Sequence, residues 1–162
     1  MVAILYNIRS LHNVGSIFRT ADAAGVKKIY LCGLTPTPYD EFGKKRSQLA
    51  KVSLGAEDYI PWEKIGSARS PIATLRLIDN LKKTGYKILA IEQSKNSVPY
   101  YKFASTRRNN QKMVLIVGNE VKGLSKTILN RADKILEIPM HGKKESLNVA
   151  VAFGIVVFGI KK

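Results

Sequence analysis

Cys32 is the chain's only cysteine, which excludes an internal disulfide framework. With just His12 and His141 beside it, the ligands for a zinc site are too few, and no metal is expected. Long apolar runs are missing as well. The stretch from Leu147 to Ile160 is too short to span a bilayer and holds Asn148, so it reads as a buried helix and no membrane partner is expected. No basic amphipathic segment with aromatic anchors suggests a membrane-surface role. The N-terminal residues show no charged region followed by an apolar stretch and cleavage site, which makes a cytoplasmic location the expectation. Internal repeats, low-complexity segments and linkers are not evident.

Acidic side chains are scarce too: twelve Asp and Glu stand against twenty-seven Lys and Arg, a formal net charge of +15. A hydrophobic content of 45% argues against a disordered basic tail. The 162 residues fit one domain, which at this size buries roughly 70% of its unfolded surface. The charge is scattered: Lys27 and Lys28, Lys44 to Arg46, Lys82 and Lys83, Arg107 and Arg108, Lys143 and Lys144, Lys161 and Lys162. Scatter of this kind suits a broad polyanion footprint better than a localisation signal, although a lysine-rich surface that maintains solubility would look the same.

Apolar spacing predicts a strand over Val2 to Tyr6 and a loop from Asn7 to Asn13. A helix follows from Val14, with Ile17, Phe18, Ala21 and Ala24 at helical spacing, Asn13 as N-cap and Gly25 as stop. Strands are expected at Lys28 to Cys32, Asp58 to Pro61, Tyr86 to Ile91, Met113 to Val117 and Lys134 to Ile138. Helices are expected at Phe42 to Leu54, Pro71 to Thr84, Leu124 to Arg131 and from Leu147 onward, while Ser94 to Arg108 has no clear period. Strands alternating with helices predict an α/β fold with a mostly parallel sheet and helices on both faces.

Three stretches join a strand end or a glycine turn to a helix start: Asn13 to Val26, Leu115 to Ser125 and Glu137 to Ala152. Ligand sites of α/β proteins gather at such junctions. Gly118 to Ser125 nearly spells a phosphate-binding loop, but Leu124 stands where lysine is required, and no G-x-G-x-x-G follows any strand. Each stretch also has a purely structural account. The glycine turn could be only a turn, Ser146 only an N-cap, and Arg19 only the partner of Asp22 in a surface ion pair. Asn148 is harder to explain so, because an amide within an otherwise apolar helix needs partners. Trp62, Tyr100 and Tyr101 read as packing residues.

N-x-G-x-I-x-R-T-A-x-A-x-G, G-N-E-x-x-G-L-S and I-P-M-x-G-x-x-x-S-L-N-V-A-V-A resemble, in order and spacing, the three motifs of the SpoU (TrmH) family of RNA ribose 2′-O-methyltransferases in the SPOUT superfamily. The resemblance covers essentially the whole chain. It implies a C-terminal deep trefoil knot, a homodimer whose interface includes the closing helix, and S-adenosylmethionine held near Ile91, Glu92, Gly118, Asn119, Ile138, Met140, Ser146 and Leu147. Arg19 matches the family's catalytic arginine, with Asn13, Glu120, Ser146 and Asn148 as supporting polar groups. An extra RNA-binding domain carried by many members has no counterpart in these 162 residues, nor has the longer C-terminal helix of some relatives.

The reading that follows is a methyltransferase acting on tRNA or rRNA ribose. A non-catalytic RNA-binding or ribosome-assembly module on the same fold would explain the charge equally well, but not the full set of motif residues. A dinucleotide-dependent oxidoreductase would lack its glycine fingerprint.

Overall fold

Met113–Val117 is apolar at every position and buried at every position, as a strand covered on both faces must be. In the computed structural model, which describes residues 1–67, 70–106 and 111–161, it is β6 and lies at the centre of the sheet. Arg107, Arg108 and Lys162 of the basic pairs lie outside those residues. The other strands are β1 (Val2–Tyr6), β2 (Ile29–Cys32), β3 (Trp62–Ile65), β4 (Lys87–Ile91), β5 (Val98–Pro99) and β7 (Lys134–Glu137). Their order is β3-β2-β1-β6-β4-β7-β5, and every pairing is parallel.

Register places Leu115 between Ala3 of β1 and Leu89 of β4. Because side chains alternate along a strand, these three share one face with Leu5, Leu31 and Val117, while Ile4, Ile88, Val114 and Ile116 point to the other. The first face is covered by α1 (Leu11–Ala23), α2 (Ser47–Ser53), α5 (Tyr100–Thr106) and α7 (Val149–Gly159), through Ile17, Phe18, Leu49, Phe103, Phe153 and Val156. The second is covered by α4 (Ile72–Lys83) and α6 (Lys126–Leu129), through Ile78, Leu81 and Ile128. A short α3 (Ala56–Tyr59) completes the helices found among the described residues.

Several boundaries differ from the sequence expectation. Helix α1 begins a turn early, capped by Ser10, whose Oγ accepts from the backbone N–H of Asn13 at 3.2 Å. Asn13 is therefore inside the first turn and buried, not the cap. No strand forms over Asp58 to Pro61: α3 runs to Tyr59, and edge strand β3 begins only at Trp62. Leu54 (φ 52°) and Gly55 (φ 90°) turn the chain left-handed between α2 and α3, and so separate two short helices. The helix expected over Phe42 to Leu54 starts only at Ser47, because residues 39–45 form a tight hairpin closed by a Tyr39–Lys45 bridge. Ser94 to Thr106, without period in the sequence, contains β5 and α5.

Candidate functional site

Because the sheet is parallel, the loops after β1, β2, β4, β6 and β7 all leave its carboxyl edge. Strand β6 is inserted between β1 and β4 there, the kind of crossover point at which α/β folds bind ligands. The loops after β4, β6 and β7 meet the approach to α7 around a cleft enclosing about 830 Å³ of non-protein space out to its open mouth. Ile91, Glu92, Gly118, Asn119, Ile138, Met140, Ser146 and Leu147 all line it, together with Glu120. Gln93, Val121, Leu136 and Glu137, outside the fixed positions of the motifs, line it as well, and Gly123, Val149 and Ala152 join them from within the second and third motifs.

The floor is backbone brought close to backbone. A Cβ on Gly118 would lie 2.7 Å from the carbonyl carbon of Gly123, so only glycine fits that crossing. Gly123 adopts φ +62°, which strains any other residue, and a Cβ there would have to displace the Glu92 carboxylate. Asn119 ties the turn: its Oδ1 accepts from the N–H groups of Val121 (3.0 Å) and Lys122 (2.9 Å), and its Nδ2 donates to the carbonyl of Asn7 (2.8 Å). Glu92 accepts from the backbone N–H groups of Leu124 (2.8 Å) and Gln93 (3.0 Å), and Glu137 accepts from the Ser97 hydroxyl at 2.6 Å.

Glu120 joins the second motif to the first. Its carboxylate accepts from the backbone N–H groups of Arg9 and Ser10 (both 3.2 Å) and from the Asn13 amide (3.0 Å), at the N-terminus of the 13-residue helix α1. Burial alone would push this carboxyl up. The Asn13 amide and the backbone N–H groups of Glu120, Arg9 and Ser10 favour the charged form more strongly and hold it below the usual carboxylate value.

Asn148 joins the third motif to the first. It is the N-cap of α7, its Oδ1 accepting from the N–H groups of Ala150 (2.9 Å) and Val151 (3.4 Å), while its Nδ2 donates to Asn13 Oδ1 at 3.0 Å. The cap is thus Asn148 rather than Ser146, and Asn148 precedes the apolar helix instead of lying within it. The amide has found its partners in backbone and in Asn13. A chain of polar contacts, Glu120 to Asn13 to Asn148, crosses all three motifs.

Asn13 and Asn148 line a second, open groove between α1 and α7, with His12, Ser16, Thr20, Ala150, Val151, Gly154 and Phe158. Arg19 lies on the exposed side of α1 and lines neither cavity, and no ion pair among the described residues joins it to Asp22. His141 is exposed in the loop before α7, Trp62 stacks on Tyr39 (ring centroids 6.5 Å apart), and Tyr100 meets Tyr101 edge to face. Cys32 is buried, and its thiol is pushed up to about 12, mainly by that burial. No cluster of metal-ligating side chains occurs among the described residues, and none of their helices is long and apolar enough to cross a membrane.

The same order of elements recurs in known proteins. A tRNA (guanosine(18)-2′-O)-methyltransferase of Aquifex aeolicus (strain VF5) is 34% identical over 158 residues, which cover 98% of this chain and 67% of that protein. The crystal structure of the A. aeolicus TrmH/SpoU tRNA modifying enzyme superimposes with a TM-score of 0.78 at 32% identity, covering 99% of this chain and 73% of that one. An AdoMet-bound rRNA methyltransferase from Sinorhizobium meliloti superimposes with a TM-score of 0.80 at 30% identity, covering 99% of this chain and 55% of that one. The chain thus spans between about half and three quarters of the length of these relatives. Residues 1–158 match the SpoU rRNA Methylase family, which accounts for all three motifs and for the cleft they build, and the chain belongs to that family.

Proposed function

We propose that the protein transfers the methyl group of S-adenosylmethionine to a ribose 2′-hydroxyl of tRNA or rRNA. The observation that carries this reading is the convergence of the second and third motifs on one cleft, with the first tied to it through Glu120. The cleft suits the donor on its own chemistry. Three of its lining side chains are carboxylates, Glu92, Glu120 and Glu137, and none is Lys or Arg. A cation is therefore favoured there, although the chain as a whole carries an excess of fifteen positive charges. Apolar Ile91, Ile138, Leu147 and Val149 offer surface to an adenosine, and the bare backbone at Gly118 admits close approach.

When bound, S-adenosylmethionine supplies an electrophilic methyl group on a sulfonium. The protein's part is to hold the 2′-oxygen in line with that group, a positioning effect that supplies much of the acceleration. A guanidinium stays protonated, so Arg19 is assigned to clamping the phosphate beside the target ribose, and that phosphate accepts the hydroxyl proton. Preorganised donors of this kind contribute about 3 kcal/mol in a transition state. Glu120 and Asn148 hold Asn13, and Ser146 offers its hydroxyl at the cleft wall.

Arg19 does not reach the cleft of its own chain, so we assign it to the cleft of a second copy. The supporting feature is the α1/α7 groove: α7 is apolar throughout, yet Val151 and Phe158 on one stripe are 50% and 51% exposed. A homodimer through that face buries the stripe and carries Arg19 with it. The proposal extends to one catalytic domain over residues 1–162, the deep trefoil knot around β6, β7 and α7, and a cytoplasmic setting. A non-catalytic binding module has no use for the acidic cleft.

The test is incubation of the chain with methyl-labelled donor and bulk tRNA or rRNA, followed by nuclease mapping. Label on a ribose, abolished by a 2′-deoxy substitution at the mapped site, is the expected result. No label in any RNA overturns the catalytic reading, and near-normal turnover by Arg19→Lys overturns the clamp.

A further inference from the structure

The hairpin after β2 is built to hold one aromatic side chain in solvent. Within residues 39–45, Asp40 N–H donates to the Lys44 carbonyl (2.9 Å) and Gly43 N–H to the Asp40 carbonyl (3.1 Å). The Asp40 side chain accepts from the N–H groups of Phe42 (3.0 Å) and Lys44 (2.8 Å), and Gly43 takes the left-handed φ of +75° that closes the turn. The base of the hairpin is pinned in turn. Lys45 Nζ bridges Asp58 (2.6 Å) and buried Glu57 (3.0 Å), and the Tyr39 hydroxyl donates to Asp58 at 2.6 Å. At the tip Phe42 is 87% exposed, with Lys44 exposed beside it.

Hydrogen bonds within the turn fix its backbone, so the ring it presents to water is held ready for a partner without further ordering of the loop. The hairpin also has a defined relation to the cleft. Asn7, at the end of β1, accepts from Leu34 N–H through Oδ1 (2.8 Å), at the start of the segment leading to the hairpin. Its carbonyl accepts from Asn119 Nδ2 (2.8 Å) on the cleft wall. Hairpin and cleft therefore stand on the same carboxyl edge of the sheet, held by one hydrogen-bonded series of loops.

We propose that Phe42 is a base-stacking finger for an unpaired nucleotide of the RNA substrate, with Lys44 on the adjacent phosphate; this rests on the RNA-methyltransferase reading above. Unpaired bases expose π-faces that a duplex hides, so a rigid ring selects single-stranded or looped RNA with little demand for sequence. Lys45 is occupied by its two carboxylates, and the phosphate contact is assigned to Lys44, the exposed cation at the tip beside Phe42. Preorganisation of the turn removes the ordering cost that a flexible loop would meet on binding.

Fluorescence anisotropy of the full chain with a short single-stranded RNA, an RNA duplex of equal length and bulk tRNA tests this. Phe42→Ala should weaken single-strand and tRNA binding about tenfold and duplex binding less than about twofold, and Phe42→Trp should restore it. Lys44→Ala should weaken all three and flatten the salt dependence. Melting temperature and donor binding should not change, since Phe42 is almost wholly exposed. Equal affinities for wild type and Phe42→Ala, or equal losses on single strand and duplex, overturn the finger alone. A smaller sedimenting mass for Phe42→Ala also overturns it, by assigning the ring to a second copy. Failure of the wild type to bind any RNA overturns the functional reading and the finger together.

Discussion

Glu120→Gln removes one charge and leaves the shape of the site unchanged, so its effect can be worked from the structure. The carboxylate accepts from three donors, Arg9 N–H, Ser10 N–H and the Asn13 amide, at the start of α1. Glutamine keeps one acceptor oxygen and turns the other into an NH2 that faces donors. Loss of one charge-assisted hydrogen bond, screened because the group is solvent-facing, costs about 1 kcal/mol. Loss of the charge at the helix N-terminus adds about 0.5 kcal/mol. At about 2–4 °C per kcal/mol for a chain of this size, the melting temperature should fall by about 3–6 °C at neutral pH. The pH dependence has a definite sign. Glu120's folded value lies below its unfolded one, so its contribution is complete above the unfolded value of about 4.3 and disappears as pH falls through the folded value. Thermal melts followed by circular dichroism should show a constant gap between wild type and variant down to about pH 5, closing in acid. A gap absent at pH 7, or unchanged in strong acid, would refute the tie between Glu120 and α1.

Asn148→Ala should cost about 1–2 kcal/mol by removing the α7 cap and leaving the Asn13 amide oxygen unpaired, and Asn148→Ser should recover the cap share in denaturant titrations. Gly118→Ala should abolish measurable donor binding by calorimetry while costing about 1–3 kcal/mol of stability, because the new Cβ meets Gly123 backbone rather than a side chain that can swing away. Arg19→Ala and Gly118→Ala chains, each inactive alone, should regain part of the activity when mixed into heterodimers, since one site then combines an intact cleft with an intact Arg19. Absence of complementation would place Arg19 in its own chain's reaction.

How much of this was legible in the residues depends on which force decided each element. Met113–Val117 and the Ile17, Phe18, Ala21 stripe of α1 are set by burial, and periodicity shows burial directly. The edge strand Trp62–Ile65 is hidden because two of its four residues, Glu63 and Lys64, are charged, as an edge tolerates. Ser146 and Asn148 are both good capping residues two positions apart. The choice between them was made by a long-range contact to Asn13, 135 residues away, which no local propensity contains. The same limit applies to the cleft. The motifs name its glycines and strand ends, but Gln93 and Glu137 come to line it only through the strand order. Helical spacing places Arg19 on a face of α1, and only the folded chain shows that this face looks away from the cleft.

The separation of charge within the molecule is the feature neither composition nor motif predicts. Three of the chain's twelve carboxylates line one cleft, whereas twenty-seven basic side chains leave the exterior strongly positive. If the cleft takes a cation of low net charge and the exterior takes a polyanion, the two bindings must answer differently to salt. RNA affinity should fall by a factor on the order of 100 or more between about 50 and 200 mM salt, through counterion release at several phosphates. Donor affinity, governed by a few fixed charges over short distances, should change by less than about threefold over the same range, because screening acts weakly within a Debye length of about 10 Å. Parallel losses in the two titrations would mean that one electrostatic surface serves both ligands, and the assignment of cleft and exterior to different partners would have to be abandoned.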